Sequence, residues 1–576
     1  MKTAQREGRL PKLCGADIEL GNFILGAVGG GGTARQASRA LLREIDASFA
    51  RPEDRARLSL EPSYPRPQEP SLYANPQDWG RKFLDSNGGC VYIDLDHLEL
   101  CLPEVLSAYD HVAAWHAMLR IARRALNAAN AKLPPGQRIH VLVNNSDGTG
   151  NAYGSHLDFL ITRAAFDNIF ERKMHHLLYL AAYQVSSIIF TGQGKVGAEN
   201  GQPEVAFQLS QRADFFETLT GVQTTYRRPI VNSRDEPLCG AVGLDRLRPE
   251  DAAQTADMAR LHCIMYDNTL CHGSSLLKVG VMQIILAMLE AEQLDPRLIL
   301  DDPVDAIVRW SHDPTLRARV PLASGKEVSA VELQLYFFEA AQRFVDAGGC
   351  DGVVPRAAEI LALWGDTLLK LQAHDVTALA RRLDWVLKFC ILQRALCQRP
   401  HLTWASPQIK HLDHLYSSLD AEQGLYWTYE QHGATEQLVP AARIAHLEHE
   451  PPDDTRAWTR AMLLRLAGTD AVQDIDWDHI KFRKAGRGYW PTLRTVHLAD
   501  PLGFTRAVAE DIIQQADAFD DILDALHATQ PAIDATPTLY DWKRPDGTYG
   551  SVYPAAPRGL TTTPGNGRTR RDWDEC

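Results

Sequence analysis

The sequence predicts an α+β protein large enough for a main domain and one or two smaller ones. It has 576 residues, of which 45% are hydrophobic and 23% charged, as in ordinary globular proteins. Polar and apolar side chains alternate in 13–25 and again in 91–100, which is typical of β-strands. From roughly residue 250 onward helical apolar spacing prevails, over 276–294, 328–347 and 376–396.

The other segments extend this expectation in chain order. We predict a helix after the glycine run Gly29–Gly32, over 33–45, and further helices over 104–132 and 163–186. Strands are expected over 138–144 and 205–210, with a strand pair within 221–236. The Pro-, Arg- and Glu-rich stretch 50–80 predicts a long loop. The expected domains are 1–409, a small C-terminal domain 410–529, and a flexible tail 530–576 rich in Pro, Gly, Thr and Arg.

Charge and cysteine content restrict the class of partner and the compartment. With 60 Lys+Arg against 73 Asp+Glu, the net charge of -13 argues against a broad basic surface for nucleic acid. The ten cysteines form no CxxC pair, which favours reduced thiols in a cytoplasmic protein. The polar start of the chain, 1–11, predicts no signal peptide, and no apolar run reaches membrane-spanning length.

Two acidic stretches are candidates for metal binding. Asp17 and Glu19 are two residues apart, so a strand would place both on one face, where their oxygens suit Mg²⁺. A solvated strand face is the alternative. In the second stretch, Asp94 and Asp96 would share one face of a regular strand, opposite Glu99. A bulge or strand end near His97 would instead let Asp94 and Glu99 converge.

A polar loop and an arginine-rich segment follow. The loop 144–156 contains several glycines and ends in His156, which is either a metal ligand or a core histidine. The segments 210–217 and 224–237 contribute four arginines and an R-x-E acid: Arg212, Arg227, Arg228, Arg234 and Glu236. Arginine forks match phosphate and carboxylate oxygens two at a time, although surface salt bridges would use the same residues.

In this order the stretches resemble the Pup ligase and depupylase family of glutamine-synthetase-like carboxylate–amine ligases. The resemblance rests on Y-I-D-x-x-H-x-E at 92–99, N-N-S-D-G-x-G-N-x-Y-G-x-H at 144–156 and R-R-P-I-V-N-S-R-D-E-P at 227–237. It continues through R-L-H-C-I-M-Y-D-N at 260–268 and D-T-R-A at 454–457. The similarity runs in order from about residue 13 to about residue 505.

The resemblance implies a fold, a chemistry and residue roles. The fold would be a curved antiparallel sheet forming a cradle, backed by helices, that holds ATP and Mg²⁺. The metal-binding residues would be Asp17, Glu19, Glu99, His156 and Glu236. The nucleotide-binding residues would be Arg212, Arg227, Arg228, Arg234 and Arg456. Asp94 matches the catalytic aspartate of the family.

The implied partners are a small Pup-like protein modifier and its lysine-bearing target. The spacing from Asp94 to His97 and Glu99 is similar to that of depupylases, and ligases carry one extra residue there. We therefore favour isopeptide hydrolysis or glutamine deamidation over the alternative, ATP-dependent ligation of a glutamate to an amine. A catalytically silent nucleotide-binding regulator is the alternative of another class, and the retained acids argue against it.

Three features depart from the family pattern. The first-strand acid is Asp17 where the family usually has Glu. The family's H-E-N-Y is here His156-Leu157-Asp158-Phe159, so one carboxylate is lost and another gained one place on. The glycine-rich segment and helix at 26–49 are not a hallmark of the family.

Overall fold

The computed structural model describes residues 9–26, 33–45, 81–148, 150–235, 257–468, 471–484, 492–529 and 533–534. The predicted loop 50–80, the glycine run, Glu236 and nearly all of the predicted tail lie outside these ranges. The strands are β1 Cys14–Leu25, β2 Lys82–Phe83, β3 Cys90–Asp94, β4 His97–Cys101, β5 Arg138–Leu142, β6 Ser155–Thr162, β7 Phe216–Gly221, β8 Arg228–Asn232, β9 Met258–Tyr266, β10 Arg319–Pro321, β11 Glu327–Ser329, β12 Val472–Asp476, β13 His479–Lys484, β14 Thr492–His497 and β15 Ile533–Asp534.

The helices outnumber the strands in the second half of the described chain. They are α1 Thr33–Glu44, α2 Ala108–Asn130, α3 Arg163–Asp167, α4 Met174–Ser186, α5 Ile188–Thr191, α6 His272–Glu290, α7 Pro303–Ser311, α8 Ala330–Asp346, α9 Ala357–Gln372, α10 Val376–Leu379, α11 Asp384–Gln398, α12 Pro407–Ser417, α13 Leu425–Gln431, α14 Ala441–His449, α15 Ala457–Ala467, α16 Arg506–Gln515 and α17 Phe519–Thr529. Single-turn segments lie at Asn168–Arg172, Ala213–Phe215 and Pro296–Leu298.

The central sheet is antiparallel, in the order β2-β3-β4-β1-β6-β9, with β5 also paired to β1. Along β1, Ile18 and Leu20 are fully buried and join the core that contains α2 and α6. Asp17 and Glu19, which alternate with these two residues along the strand, point to the opposite face. The sheet is therefore apolar where helices back it and polar on its other side, which confirms the predicted α+β fold class.

Several predicted elements need correction. The single strand over 91–100 is a hairpin, β3 and β4, joined at Leu95 and Asp96. The predicted strand 205–210 is wrong, since that segment makes only an isolated bridge between Lys195 and Gln208. The helix over 163–186 is interrupted by the wider turn at Asn168–Arg172. Within 221–236 only β8 is a strand, and its parallel partner β7 begins earlier, at Phe216.

A second, smaller core lies near the C-terminus. It is formed by residues from Trp458 to Leu526, around α15–α17 and the β12–β14 sheet. The apolar residues of α12–α14, from Ile409 to Leu447, belong to the main core instead. The two apolar clusters thus meet near residue 457, and the domain boundary at 410 stays a prediction.

Buried ion pairs attach Arg456 and Arg460, at the start of α15, to the segment between β4 and α2. Arg456 Nε donates to Glu104 Oε1 at 2.7 Å, and Arg460 Nη2 donates to Glu104 Oε2 at 2.5 Å. Gly88, at φ 78°, lies so close to α15 that a Cβ there would be 2.7 Å from the Ala457 carbonyl oxygen. The joint thus needs a glycine, both for its left-handed conformation and for the close approach.

Candidate active site

Strand register brings the first-strand acids together with two other predicted residues. Glu19 lies directly opposite Glu99 on β4, and Asp17 lies opposite Cys101. On the other edge of β1, Asp17 pairs with His156 of β6. Directly opposed residues share a face, so Asp17, Glu19, Glu99 and His156 all lie on the polar side of the sheet.

The β3–β4 hairpin adds Asp94 to this face. Asp94 pairs with His97, and Tyr92 pairs with Glu99 one step along. The Tyr92 hydroxyl donates a 2.6 Å hydrogen bond to Glu99 Oε1. β3 therefore ends before His97, which is one of the two arrangements that the sequence allowed. This strand end brings Asp94 and Glu99 onto one face.

Carboxylates are crowded together on this face of the sheet. Burial raises the pKa of Glu99 well above its usual range, and three neighbouring carboxylates raise it further. Burial also raises the pKa of Glu19, and nearby Asp94 adds to this rise. Like charges directly opposite one another destabilise a sheet. This face is consequently suited to an added cation.

His97 offsets only part of this negative charge. Its Nδ1 lies 2.9 Å from Glu19 Oε1, and its Nε2 lies 3.6 Å from Asp147 Oδ2 in the loop before β6. Burial alone would lower the pKa of His97, but hydrogen bonds to Asp147 and Glu19 outweigh burial and raise it to about 9. The imidazole is therefore positively charged at neutral pH, and it ties Glu19 to the loop.

A cavity of about 480 Å³ opens over the polar face. Six of the predicted site residues line it: Asp17, Asp94, Glu99, His156, Arg234 and Arg456. The side chains of Tyr92 and of Trp477, from the β12–β13 turn, also line it. Its volume is in the usual range for small-molecule sites, and both domains contribute to its wall.

Arg212 does not line this cavity but lies buried against Gly154, two residues before His156 of the lining. It is 1% exposed, and its Nη2 donates to the Ile264 carbonyl at 2.8 Å. Among the described residues, neither its Nε nor its Nη1 has a hydrogen-bond partner. A Cβ at Gly154 would lie 2.8 Å from Nη1, so this glycine makes room for the guanidinium. Burial lowers the pKa of Arg212 to about 10, which leaves it charged.

The other predicted cationic residues are placed differently. Arg228 donates from Nε to the Thr224 carbonyl and from Nη2 to the Ala152 carbonyl, at 2.7 Å and 2.6 Å. It thus fixes the loop before β8 rather than lining the cavity. Arg227 is exposed and lies outside the lining. Arg456 lines the cavity, but its Nε is held by Glu104.

An ion-paired group on the cavity floor was not among the predicted site residues. Asp158 Oδ1 lies 2.9 Å from Arg260 Nη1 and 2.8 Å from His262 Nδ1. All three residues line the cavity. Strand alternation from His156 could have placed Asp158 on this face, but its pairing with His262 depends on the β6–β9 register, which the sequence does not give.

The acidic residues do not form a closed cage of ligands by themselves. In the described part of the chain, three other residues have potential metal-ligand atoms within 4.8 Å of one another. They are His116, His272 and Glu430, in the core. There the Leu438 N–H donates to His272 Nδ1, so the proton of neutral His272 is on Nε2, where a metal would need a lone pair. Mg²⁺ usually takes one or two carboxylates plus phosphate and water, so a closed cage is not required.

Comparison with known proteins identifies the family and relatives of this chain. The chain matches the family described as Pup-ligase protein over residues 36–481. A depupylase of Acidothermus cellulolyticus is 34% identical over 443 residues, which cover 77% of this chain and 82% of that protein. A Pup–protein ligase of Acidimicrobium ferrooxidans is 34% identical over 439 residues, covering 75% of this chain and 89% of that protein.

Solved structures agree with these sequence matches. The Pup ligase PafA in complex with ADP has a TM-score of 0.64 and 25% identity, covering 77% of this chain and 90% of that one. PafA in complex with Pup has a TM-score of 0.69, covering 91% of this chain and 96% of that one, and its 23% identity bears on the fold alone.

The relatives show that the protein is an enzyme, and its fold is a mixed helix and antiparallel-sheet architecture of the PafA type. The chain belongs to the Pup-ligase family, as its motifs indicated.

One long apolar helix, α6, lies in the protein core. Among the described residues, α6 is long and apolar enough to cross a membrane by length and composition, and the whole of its apolar window is buried inside the protein. It occupies the centre of the main core, behind the sheet.

Proposed function

We propose that the cavity binds ATP with Mg²⁺ and that the protein acts on a small Pup-like modifier. The observation that carries the proposal is the contrast between the crowded carboxylates and the cations beside them. Glu19 and Glu99 are buried with raised pKa values, and two nitrogens of buried Arg212 have no partner among the described residues. A metal-bound triphosphate would satisfy both, because it brings a cation to the acids and anionic oxygens to the guanidinium.

The residues present fit such a ligand. Asp17, Glu19 and Glu99 offer carboxylate oxygens, and Arg212 and Arg234 offer guanidinium groups. Mg²⁺ would neutralise charge on the phosphate oxygens and on the reacting carbonyl or phosphoryl group. The relative PafA, solved with ADP, supports nucleotide binding. Glu236 lies outside the described residues, so its place in the metal site stays a prediction.

For the reaction, we favour hydrolysis of the amide that links the modifier's C-terminal glutamate side chain to lysine, or of a C-terminal glutamine. Water adds its oxygen to the carbonyl carbon, the C–N bond breaks, and the amine or ammonia leaves with a proton. Asp94 either removes the proton from this water or attacks the carbonyl itself. The depupylase-like spacing of Asp94, His97 and Glu99 supports this direction.

Single turnover in H₂¹⁸O separates the two roles of Asp94. If Asp94 attacks the carbonyl, the intermediate is a mixed anhydride, and water that opens it at the Asp94 carbon leaves the heavy oxygen in the Asp94 side chain, so label at residue 94 identifies the nucleophile. If it activates water, the heavy oxygen goes only to the product. Mass spectrometry of the peptide that contains residue 94 reads the difference.

Ligation is the second candidate, supported by the 34% identical Pup–protein ligase. In that direction the γ-phosphoryl group of ATP passes to the glutamate carboxylate, and a neutral lysine then displaces phosphate, with Asp94 as the base. Incubation of Pup with a lysine-bearing acceptor and ATP, and in parallel of a Pup–lysine conjugate with ATP, distinguishes the two. Conjugate formed with matched ATP consumption indicates a ligase, and cleavage without net consumption indicates a hydrolase.

The decisive variant is Asp94→Asn, which keeps the shape of the side chain but removes its basicity. We expect turnover to fall about 10²–10⁴-fold while nucleotide affinity stays unchanged. Full activity of this variant would remove Asp94 from the chemistry. Arg234→Ala should weaken binding of the ATP–Mg²⁺ complex in a calorimetric titration, and an unchanged affinity would count against its phosphate role.

We also propose that the protein works in the cytoplasm. The described cysteines, among them Cys14, Cys90, Cys101 and Cys263, are free thiols, which is typical of a reducing compartment. Fractionation of the host cell with an antibody to the protein tests this, and recovery with secreted or membrane material would contradict it.

A further inference from the structure

The ladder between β1 and β4 ends before the turn of the β3–β4 hairpin. The β1–β4 ladder ends at the pair Leu20 and Leu98, and from Gly21 onward β1 pairs with β5. The backbone of the hairpin turn therefore receives no ladder hydrogen bonds from β1. Asp94 is the last residue of β3, immediately before this turn.

The side chain of Asn22 extends the ladder by one step. It is 4% exposed, and its Oδ1 accepts a 2.8 Å hydrogen bond from the Leu98 backbone N–H. Its Nδ2 donates to the Asp96 carbonyl at 3.2 Å and to the Ala34 carbonyl, at the start of α1, at 2.8 Å. A carboxamide carries the same donor and acceptor as a peptide group, so it can replace a strand neighbour.

The turn that Asn22 holds is conformationally strained. Leu95 and Asp96 have φ values of 44° and 70°, a combination usually supplied by Asn-Gly in a two-residue hairpin. Left-handed conformations of other residues cost roughly 1–2 kcal/mol each. Such strain persists only where the surrounding structure fixes it, and it is common at functional sites.

A second contact to the turn is weaker. Arg35 of α1 donates from Nε to Asp96 Oδ1 at 2.8 Å, but the two side chains are 60% and 39% exposed. Exposed ion pairs contribute little, because water and salt screen them. The buried amide of Asn22 is therefore the principal support of the turn.

We infer that Asn22 is a positioning residue for Asp94: its amide holds the strained turn so that the Asp94 carboxylate faces the cavity. The inference rests on the proposed function, in which Asp94 does the chemistry. It also gives α1, which is not a hallmark of the family, a structural link to the reaction centre through the Ala34 carbonyl.

The test compares Asn22→Ala with Asn130→Ala. Asn130 bridges another backbone in the same way, accepting from Ile139 N–H at 2.7 Å and donating to the Ile139 carbonyl at 3.1 Å, but on α2, behind the sheet. With a Pup–reporter isopeptide as substrate, Asn22→Ala should lower kcat on the order of 10–100-fold and leave KM for ATP within about 3-fold. Asn130→Ala should leave kcat within about 3-fold even if its melting temperature falls equally.

A rescue experiment excludes a merely structural role. Glycine adopts the φ of residue 96 without strain, so in an Asp96→Gly background the kcat cost of Asn22→Ala should shrink to about 3-fold or less. An undiminished cost there, or a normal kcat for Asn22→Ala alone, overturns the inference. If Asn22→Ala does not fold, Asn22→Asp decides the matter, because it keeps the acceptor for Leu98 N–H and loses both amide donors. A normal kcat for Asn22→Asp then overturns the inference.

Asp94→Asn is measured beside these variants. If Asp94→Asn turns over normally, the proposed function of Asp94 fails, and the Asn22 inference fails with it. If Asp94→Asn is inactive and Asn22→Ala is normal, only the Asn22 inference fails. Arg35→Ala should change kcat by less than about 3-fold, in line with its exposed ion pair.

Discussion

Two parts of one cavity treat carboxylates in opposite ways: Asp158 is half-buried and Glu99 is buried. Around Asp158, burial would raise the pKa, but Arg260 and His262 hold it well below its usual range. Around Glu99, burial raises the pKa and the neighbouring acids raise it further. Both carboxylates line the same cavity, on strands separated only by β1.

The difference shows which charges the fold balances by itself. Asp158 is paired with the cation Arg260 and hydrogen-bonded by His262, so we expect this group to serve the shape and rigidity of the cavity wall. The Glu99 group is surrounded by other acids, and buried acids with raised pKa values are candidates for a functional site. The acidic part is therefore the place to look for the metal-bound phosphates.

The comparison is tested most severely by one substitution on each side. Glu99→Gln relieves repulsion, so the metal-free protein should melt at the same or a higher temperature, while activity falls on the order of 10²-fold or more. Asp158→Asn leaves Arg260 without its carboxylate and should cost about 3–5 kcal/mol of unfolding free energy. Denaturant unfolding and initial rates give both quantities. Destabilisation by Glu99→Gln equal to that by Asp158→Asn would erase the distinction.

Glu104, which pairs with Arg456 and Arg460 at the start of α15, is another buried carboxylate to compare with these two. The guanidinium groups of Arg460 and Arg456 outweigh the effect of burial and lower the pKa of Glu104 to about 2. From an ordinary value of 4.5, this difference corresponds to about 3 kcal/mol of stability at neutral pH. Because the folded pKa is lowered, the contribution is present above about pH 4.5 and is lost as the pH falls through about 2.

Glu104→Gln should therefore lower the unfolding free energy by about 3 kcal/mol at pH 7, with the gap to the wild type narrowing in acid. Urea denaturation of both proteins across this pH range measures the gap. A gap that stays constant down to about pH 2 would show that the charge of Glu104 does not stabilise the joint.

Substitution of the arginine residues should have a smaller effect. Arg212→Ala should weaken nucleotide binding about 10–100-fold, the loss expected for hydrogen bonds to a charged group. Arg227→Ala, at an exposed arginine, should change nucleotide binding by less than about 2-fold. Equal losses in a fluorescence titration would contradict the placement of Arg212 as the buried phosphate contact.

Sequence reasoning recovered the parts of the site that depend on local periodicity. The two-residue spacing of Asp17 and Glu19 was enough to place them on one face of β1. The sequence leaves the turn at Leu95 and Asp96 open, as a bulge or strand end near His97, because Leu95 does not favour positive φ and the tertiary contacts of Asn22 are not visible in the sequence. The Asp158 group was missed because it depends on how β6 aligns with β9, residues about 100 apart in the chain.

Binding of a non-hydrolysable ATP analogue, measured by calorimetry with and without Mg²⁺, tests the central claim most directly. The account predicts tight, Mg²⁺-dependent binding by the wild type and loss of the Mg²⁺ dependence in Glu99→Gln. Glu448→Gln, which removes a buried acid paired with Arg120 and Arg124, serves as the matched control and should behave as the wild type. Wild-type binding that is equally tight in EDTA, or a Glu99→Gln variant with undiminished Mg²⁺ dependence, would contradict it.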